Sequence, residues 1–120
     1  MAAHNETGKR GEEQAEAFLR GKGYIVLEKN WRCGYLEVDL ICMDGDRLVL
    51  VEVKTRADLR HGTPEASVTR RKERHLIEAA EAYLERKNLE NEVRFDIVGV
   101  REEPTGMHIH HIAGAFTGMG

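Results

Sequence analysis

Ionisable side chains interrupt two predicted strands whose other residues are mostly apolar. The segment GYLEVDLICMDGDRLVLVEVKTR predicts two antiparallel strands, at about residues 35–43 and 47–55, on either side of a tight turn. Side chains alternate between the two faces of a strand, so residues two positions apart point the same way. The groups predicted to share one face, at the strand ends away from the turn, are Glu37, Asp39, Glu52 and Lys54.

Two registers of this hairpin keep the four groups together. A two-residue turn at positions 44–45 places Glu37 opposite Glu52, whereas a four-residue loop places Asp39 opposite Glu52 and Glu37 opposite Lys54. The intermediate register sets Val38 opposite Glu52 and mixes acids with aliphatic residues on one face, so we exclude it. Both surviving registers gather the carboxylates at one rim of the sheet.

Crowded carboxylates on a half-buried sheet repel one another, and a hard divalent cation relieves that repulsion. Mg²⁺, or Mn²⁺ in its place, takes oxygen ligands, and Asp39 and Glu52 suit that role. Glu12 can reach inward from the first predicted helix to add a ligand or hold a metal-bound water. Lys54 can orient an attacking water or steady a phosphate. These are the parts of metal-assisted phosphodiester hydrolysis. The alternative is a satisfied salt-bridge network on a solvated sheet face.

The surrounding elements predict an α/β fold with one mixed sheet flanked by helices. Apolar periodicity indicates helices at about residues 9–21 and 68–87. Further strands are expected at 24–32 and 93–100, with a weaker one at 107–113 and a loop at 57–67. The long second helix allows a right-handed crossover, which sets the strand after it parallel to a neighbour.

Composition narrows the class of protein. The 120 residues, 41% of them hydrophobic, predict a single domain spanning 1–120, with an ordered core at about 8–116. A net charge of −3 argues against coating nucleic acid by bulk charge, although residues 54–75 are locally basic. There is no apolar run of the ~20 residues that span a bilayer and no secretory signal pattern. We therefore expect a cytoplasmic protein without a membrane partner.

Several motifs resemble a known family. The strings GKRGEEQAEAFLRGKGY, NWR, GYLEVDLI, LVLVEVKTR, RFDIVGV and HHIAGAF are similar to the YraN-like family of predicted bacterial endonucleases. That family belongs to the PD-(D/E)XK nuclease superfamily and is related to archaeal Holliday-junction resolvases. The resemblance covers about residues 8–116. Two details depart from the pattern. The family usually has Gly-Glu-Ile-Asp, whereas here Leu36 precedes Glu37 and the glycine is shifted forward to Gly34, and Val38 occupies the place of the proline before Asp39.

The resemblance implies a restriction-endonuclease-like αβββαβ core and a set of site residues. Asp39 and Glu52 match the metal-binding acids, with the Val53 carbonyl as a further ligand, and Lys54 matches the catalytic lysine. Two more acids match positions of the catalytic region, namely Glu12 on the first helix and Glu37 on the second strand.

The implied activity is Mg²⁺-dependent hydrolysis of DNA, with branched DNA among the candidate substrates. Resolvase-like relatives act as dimers on symmetric junctions, so a homodimer is one expected assembly. Basic residues that could contact the nucleic acid are Arg56, Arg70, Arg71 and Lys72. Lys72 could instead lie at the edge of the core with its ammonium in solvent. The alternative function is a non-catalytic nucleic-acid-binding module that keeps the nuclease fold and acts with a DNA-processing partner protein.

Overall fold

The computed structural model describes residues 2–56 and 68–117, without the side chains of residues 2–7 and of Arg56. The predicted loop at 57–67 therefore lies outside the described residues. Two helices and five strands follow in the predicted order: α1 (Ala2–Gly21), β1 (Ile25–Cys33), β2 (Leu36–Asp44), β3 (Arg47–Arg56), α2 (Arg70–Lys87), β4 (Val93–Glu103) and β5 (Gly106–Phe116).

The helix boundaries differ slightly from the prediction. α1 begins at Ala2, earlier than expected, since residues 2–8 contain no proline and include alanines that favour a helix. α2 begins at Arg70 because the Thr69 hydroxyl accepts a hydrogen bond from the Lys72 N–H and caps the helix. Neither helix, over its described residues, has the length and apolar content needed to cross a membrane.

The five strands form one mixed sheet in the order β1-β2-β3-β4-β5. Neighbouring strands are antiparallel except β3 and β4, which are parallel. The chain crosses between these two through α2, so the predicted parallel strand is confirmed. The architecture is an α/β fold with helices on the sheet, consistent with a restriction-endonuclease-like core.

The sheet is covered on both faces. Leu48 and Leu50 pack in a cluster with Leu76 of α2, whereas Val49 and Val51 pack in a second cluster with Leu19 of α1. All of these side chains are fully buried. Burial on both faces explains why the middle of β3 reads as a continuous apolar run, and it makes the acidic Glu52 that follows an exception.

The β2–β3 hairpin has the second of the two predicted registers. Asp44 pairs with Arg47, and the ladder continues in step to Leu40 opposite Val51. A two-residue turn at 45–46 closes it instead of the four-residue loop, because Gly45 adopts a φ of 63° that a tight hairpin turn accepts. The ladder stops one pair before Asp39 and Glu52, so β2 and β3 separate at those residues.

The alternation of β2 breaks at Asp39. Val38 packs in the same cluster as Ile41, although strict alternation would place these two residues on opposite faces. In the β1–β2 pairing, Lys29 faces Leu40 and Trp31 faces Val38, which leaves Asn30 opposite Asp39. Asn30 has a φ of 51° in the left-handed region, where asparagine is better tolerated than most residues. The break is therefore built into both strands.

A glycine sets how closely α1 approaches the sheet. A Cβ placed on Gly11 would lie 2.1 Å from Thr55 Oγ1 and within 3.3 Å of the rest of that side chain. Gly11 is buried, and the next residue, Glu12, is carried to the rim where β2 and β3 separate. The close approach at Gly11 thus positions an acid from the helix beside the acids of the sheet.

Asp96 is a buried charge that ties β4 to β5 and to the segment after α1. Only 1% of it is exposed, and its carboxylate accepts hydrogen bonds from Arg94 Nε at 2.9 Å, Tyr24 Oη at 3.2 Å and the Gly114 N–H at 3.0 Å. Burial alone would raise the pKa of Asp96, but the bonds from His111, Arg94 and Gly114 outweigh burial and hold that pKa far below its usual range.

The tautomer of a neutral His111 follows from its two partners. Its Nε2 lies 2.7 Å from Asp96 Oδ2, and its Nδ1 lies 2.9 Å from Lys22 Nζ. A carboxylate only accepts and an ammonium only donates, so the proton of a neutral His111 is on Nε2. Arg94 supplies Asp96 with a positive countercharge, since its Nε lies 2.9 Å from Asp96 Oδ1.

We expect Gly11→Ala to destabilise the fold by about 1–3 kcal/mol, because the added methyl group overlaps Thr55. Chemical denaturation monitored by circular dichroism measures the change. Gly8→Ala is the matched control, since a Cβ at Gly8 meets nothing within 4 Å in the same helix. This control should be neutral or stabilising by ~0.5–1 kcal/mol. Equal effects of the two substitutions would contradict the close approach.

Asp96→Asn should lower the free energy of unfolding at pH 7 by about 3 kcal/mol or more, since it leaves Arg94 without its buried countercharge. The folded-state pKa of Asp96 is depressed, so its contribution is complete well above 3.8 and is lost as the pH falls below that value. The difference between wild type and variant should therefore shrink from pH 7 to pH 3 in denaturation experiments. The exposed Asp46→Asn serves as control, and a gap that does not change with pH would be inconsistent with this account.

Candidate functional site

Glu52 is the buried acid at the centre of the candidate site. Only 5% of it is exposed. Its two oxygens have separate partners, because Oε2 lies 3.2 Å from Lys54 Nζ and Oε1 lies 3.5 Å from Lys72 Nζ. A buried carboxylate requires nearby positive charge to offset its lost hydration, and here one lysine of β3 and one of α2 supply it.

Asp39 occupies the point where β2 and β3 separate. Its Oδ2 accepts a 2.8 Å hydrogen bond from the Val53 N–H, so the side chain takes the place of a ladder acceptor. Burial, followed by the charges of Glu52 and Glu12, raises the pKa of Asp39 to about 7. The Val53 N–H and Lys72 oppose it. Asp39 and Glu52 are therefore close enough for the charge of Glu52 to disfavour the ionised form of Asp39.

Glu12 approaches the same acids from α1. Burial raises the pKa of Glu12, a hydrogen bond from the Asn30 side chain opposes this, and the charges of Glu37 and Glu52 raise it further. Glu12 is partly buried, in agreement with its predicted inward position, whereas the neighbouring Glu13 is exposed. A pocket of about 110 Å³ beside Glu12, lined in part by Asn30 and Lys29, leaves space for water.

Glu37 does not lie where the alternation predicted. It stands between Leu36 and Val38, which both pack in the cluster under α2, so its side chain points away from that face. Its carboxylate is half exposed and lies 3.6 Å from the Arg32 guanidinium. The prediction that Glu37 shares a face with Glu52 and Lys54 is wrong, because the break at Asp39 reverses the alternation of β2. Its catalytic role stays a prediction, supported only by the effect of its charge on Glu12.

The donor set suits a hard cation. Asp39 and Glu52 offer two carboxylates, and the Val53 carbonyl is the further ligand that the resemblance implies. Mg²⁺ is usually bound by one or two carboxylates and keeps several waters, and Mn²⁺ takes similar oxygen donors. Within residues 2–56 and 68–117, no group of three histidine, cysteine or acidic side chains is placed to hold a metal ion. Two carboxylates, with waters completing the coordination, are a donor set that fits Mg²⁺ or Mn²⁺.

The predicted nucleic-acid contacts fall into three groups. Arg70 and Arg71 are exposed in the first turn of α2. Lys72 lies beside them but directs its ammonium to Glu52, a partner that the sequence did not suggest. The side chain of Arg56 lies outside the described residues. Contacts of these residues with DNA stay predictions.

Two positioning residues were not predicted. Asn30 allows the break opposite Asp39 and bonds to Glu12. His75 of α2 accepts a hydrogen bond at 3.1 Å from the Glu37 N–H and so attaches the start of β2 to α2. The unfavourable placement of an asparagine inside a predicted strand was the available signal for Asn30. Nothing in the sequence pointed to His75.

Comparisons with a family model and with individual proteins point to the same family. The model of the uncharacterised protein family UPF0102 matches residues 11–100. Similar proteins described as UPF0102 proteins occur in Phocaeicola vulgatus, at 45% identity, and in Christiangramia forsetii, at 43% identity. These alignments cover 97% of this chain and 96% and 98% of the two relatives. A UPF0102 protein of Syntrophus aciditrophicus is 40% identical over 97% of this chain and 92% of its own.

Asp39→Asn should stabilise the protein in the absence of divalent cations, and more so at higher pH. The pKa of Asp39 is raised in the folded state from 3.8 to about 7, so ionising this group opposes folding increasingly over that interval. Asparagine keeps an acceptor for the Val53 N–H without the charge. Thermal unfolding in a chelator at pH 4 and pH 8 measures the effect, with exposed Asp46→Asn as control. An equal increase in the unfolding temperature of the variant at both pH values would argue against repulsion at Asp39.

Proposed function

This chain belongs to the uncharacterised protein family UPF0102, and from its geometry we propose that it is a Mg²⁺- or Mn²⁺-dependent DNA endonuclease. One observation carries the proposal. Asp39 and Glu52 converge as mutually repelling carboxylates at a separation between two strands, with the Lys54 ammonium beside them. Repulsion between the two carboxylates opposes folding, so such an arrangement points to a functional role. A divalent cation would bind both carboxylates, and a phosphate ligand of that cation would contact the lysine.

The side chains can be given separate roles. A bound divalent cation supplies a Lewis acid and lowers the pKa of a coordinated water. Asp39 and Glu52 would hold it. Lys54 is about a quarter exposed, at 28%, so its ammonium can reach a phosphate oxygen or orient an attacking water. Burial raises the pKa of Glu12, so its carboxylate is a stronger base than usual for accepting a proton from water.

DNA would approach along the exposed start of α2. Arg70 and Arg71 lie there, two residues and one residue before Lys72, which contacts the candidate site. Guanidinium groups pair with phosphates, so these residues would position the backbone rather than read base sequence. Branched DNA and a homodimer are proposed from the resemblance to junction resolvases, because a symmetric junction presents two equivalent strands to cut.

A second candidate function is favoured by the contacts of Glu52. Lys54 and Lys72 already place positive charge on both of its oxygens, which accounts for the burial of this acid without a cation. A non-catalytic module that binds nucleic acid with a partner protein would need no more than that. The two functions differ in what happens to bound DNA when a divalent cation is added.

Cleavage of labelled four-way junction, flap and linear duplex in Mg²⁺ or Mn²⁺ tests the proposal. Asp39→Asn, Glu52→Gln and Lys54→Met should each lower the cleavage rate by about 100-fold or more, since each removes a group that acts on the reacting phosphate. Glu92→Gln is the matched control, because Glu92 is exposed and pairs with Arg47 at the other end of β3.

Two results would count against an endonuclease. Cleavage that survives in Asp39→Asn preparations would come from a contaminating enzyme. Tight binding of a junction with no cleavage in either cation, unaffected by Lys54→Met, would identify the non-catalytic module instead. Pull-down with a partner protein would then be the next measurement.

A further inference from the structure

Lys72 occupies a place on Glu52 that a metal ion would need. Its Nζ lies 3.5 Å from Oε1, while Lys54 Nζ lies 3.2 Å from Oε2. A cation coordinated by Glu52 must bind at least one of these oxygens, so the ammonium beside that oxygen has to move away. The side chain of Glu52 is 6% exposed, which leaves little room for a third positive group while both lysines stay.

Lys72 is the lysine better able to move. Lys54 lies two residues from Glu52 on the same strand, so its backbone is fixed by the sheet. Lys72 comes from α2, and 32% of its side chain is exposed. It also lines an open pocket of about 250 Å³ with Thr69, Arg71 and His75, so its ammonium can turn from Glu52 toward solvent without moving β3.

The charge of Lys72 acts on both acids of the site. It contacts Glu52, and it lowers the pKa of Asp39 against the effects of burial and of Glu52. The same positive charge that favours ionised Asp39 repels an incoming divalent cation. Lys72 and the cation therefore compete for one pair of carboxylates, and an anion that attracts the ammonium elsewhere would remove the competition.

We propose that Lys72 couples DNA binding to cation binding, holding Glu52 until a DNA phosphate draws its ammonium away and leaves Oε1 free for the metal. This inference rests on the proposed function. Lys72 is then a positioning residue for Glu52 in the free protein and a phosphate contact in the complex. The coupling keeps the free protein poorly loaded with metal, so cation and nucleic acid enter the site together.

Cation binding to the free protein tests this directly. Ca²⁺ uses oxygen donors as Mg²⁺ does and is titrated by calorimetry at constant ionic strength. Lys72→Met should bind Ca²⁺ about fivefold or more tightly than wild type, because the competing charge is gone. Arg74→Met removes one charge from an exposed position of the same helix and should match wild type. Lys72→Gln should shift affinity the same way and replaces Lys72→Met if that variant does not fold.

The coupling itself is measured by fluorescence anisotropy with a labelled junction, with and without Ca²⁺, after electrophoresis confirms that the DNA is intact. Ca²⁺ should raise the DNA affinity of wild type by a larger factor than that of Lys72→Met, since binding linkage is reciprocal. Equal factors in the two proteins would overturn the proposal.

The outcomes separate this inference from the proposed function. Unchanged or weaker Ca²⁺ binding by Lys72→Met, with binding abolished in Asp39→Asn, would show that Lys72 does not compete and would leave the metal site standing. Ca²⁺ binding that is absent or insensitive to Asp39→Asn in every variant would reject the metal site itself, and the coupling with it.

Discussion

The arrangement of the site depends on a repulsion between two carboxylates. Asp39 and Glu52 lie where β2 and β3 cease to pair, and burial together with the charge of Glu52 raises the pKa of Asp39 to about 7. The fold tolerates this repulsion because three groups offset it. The Val53 N–H bonds to Asp39, and the ammonium groups of Lys54 and Lys72 contact Glu52. In the proposed function, Lys54 would contact the phosphate and Lys72 would leave Glu52 when a cation binds.

Two backbone features bring the acids together. Gly11 permits α1 to contact Thr55 closely, and this carries Glu12 to the rim of the sheet. Asn30 adopts a left-handed φ opposite Asp39 and bonds to Glu12. A side chain at position 11 would hold the helix away, and a β-branched residue at position 30 would disfavour the kink. The site is thus assembled by close approach and by local backbone geometry, in addition to charge.

Asp96 shows the opposite solution to a buried acid. Its charge is balanced by Arg94 and satisfied by four hydrogen-bonding groups, so its pKa is strongly depressed. Asp39 has one backbone donor and two acidic neighbours, and its pKa is raised. The two aspartates occupy the same sheet and have different partners. The charge of Asp96 stabilises the fold, whereas the charge of Asp39 opposes folding, which is typical of an acid in a functional site.

The sequence by itself determined the order of helices and strands and the mixed sheet, and it reduced the hairpin to two possible registers. These follow from local periodicity and from keeping apolar residues on buried faces, which nearby residues encode. It also indicated Glu12, Asp39, Glu52 and Lys54 as one group, since their spacing along α1, β2 and β3 is local information.

Only the tertiary structure decided the details on which the chemistry depends. The break at Asp39 turns Glu37 away because Asn30, on a neighbouring strand, takes a left-handed conformation that alternation cannot anticipate. Lys72 of α2 contacts Glu52 of β3. The number of residues between them does not predict how close their side chains lie. Such contacts arise from packing between elements distant in the chain, and for that reason no local pattern revealed them.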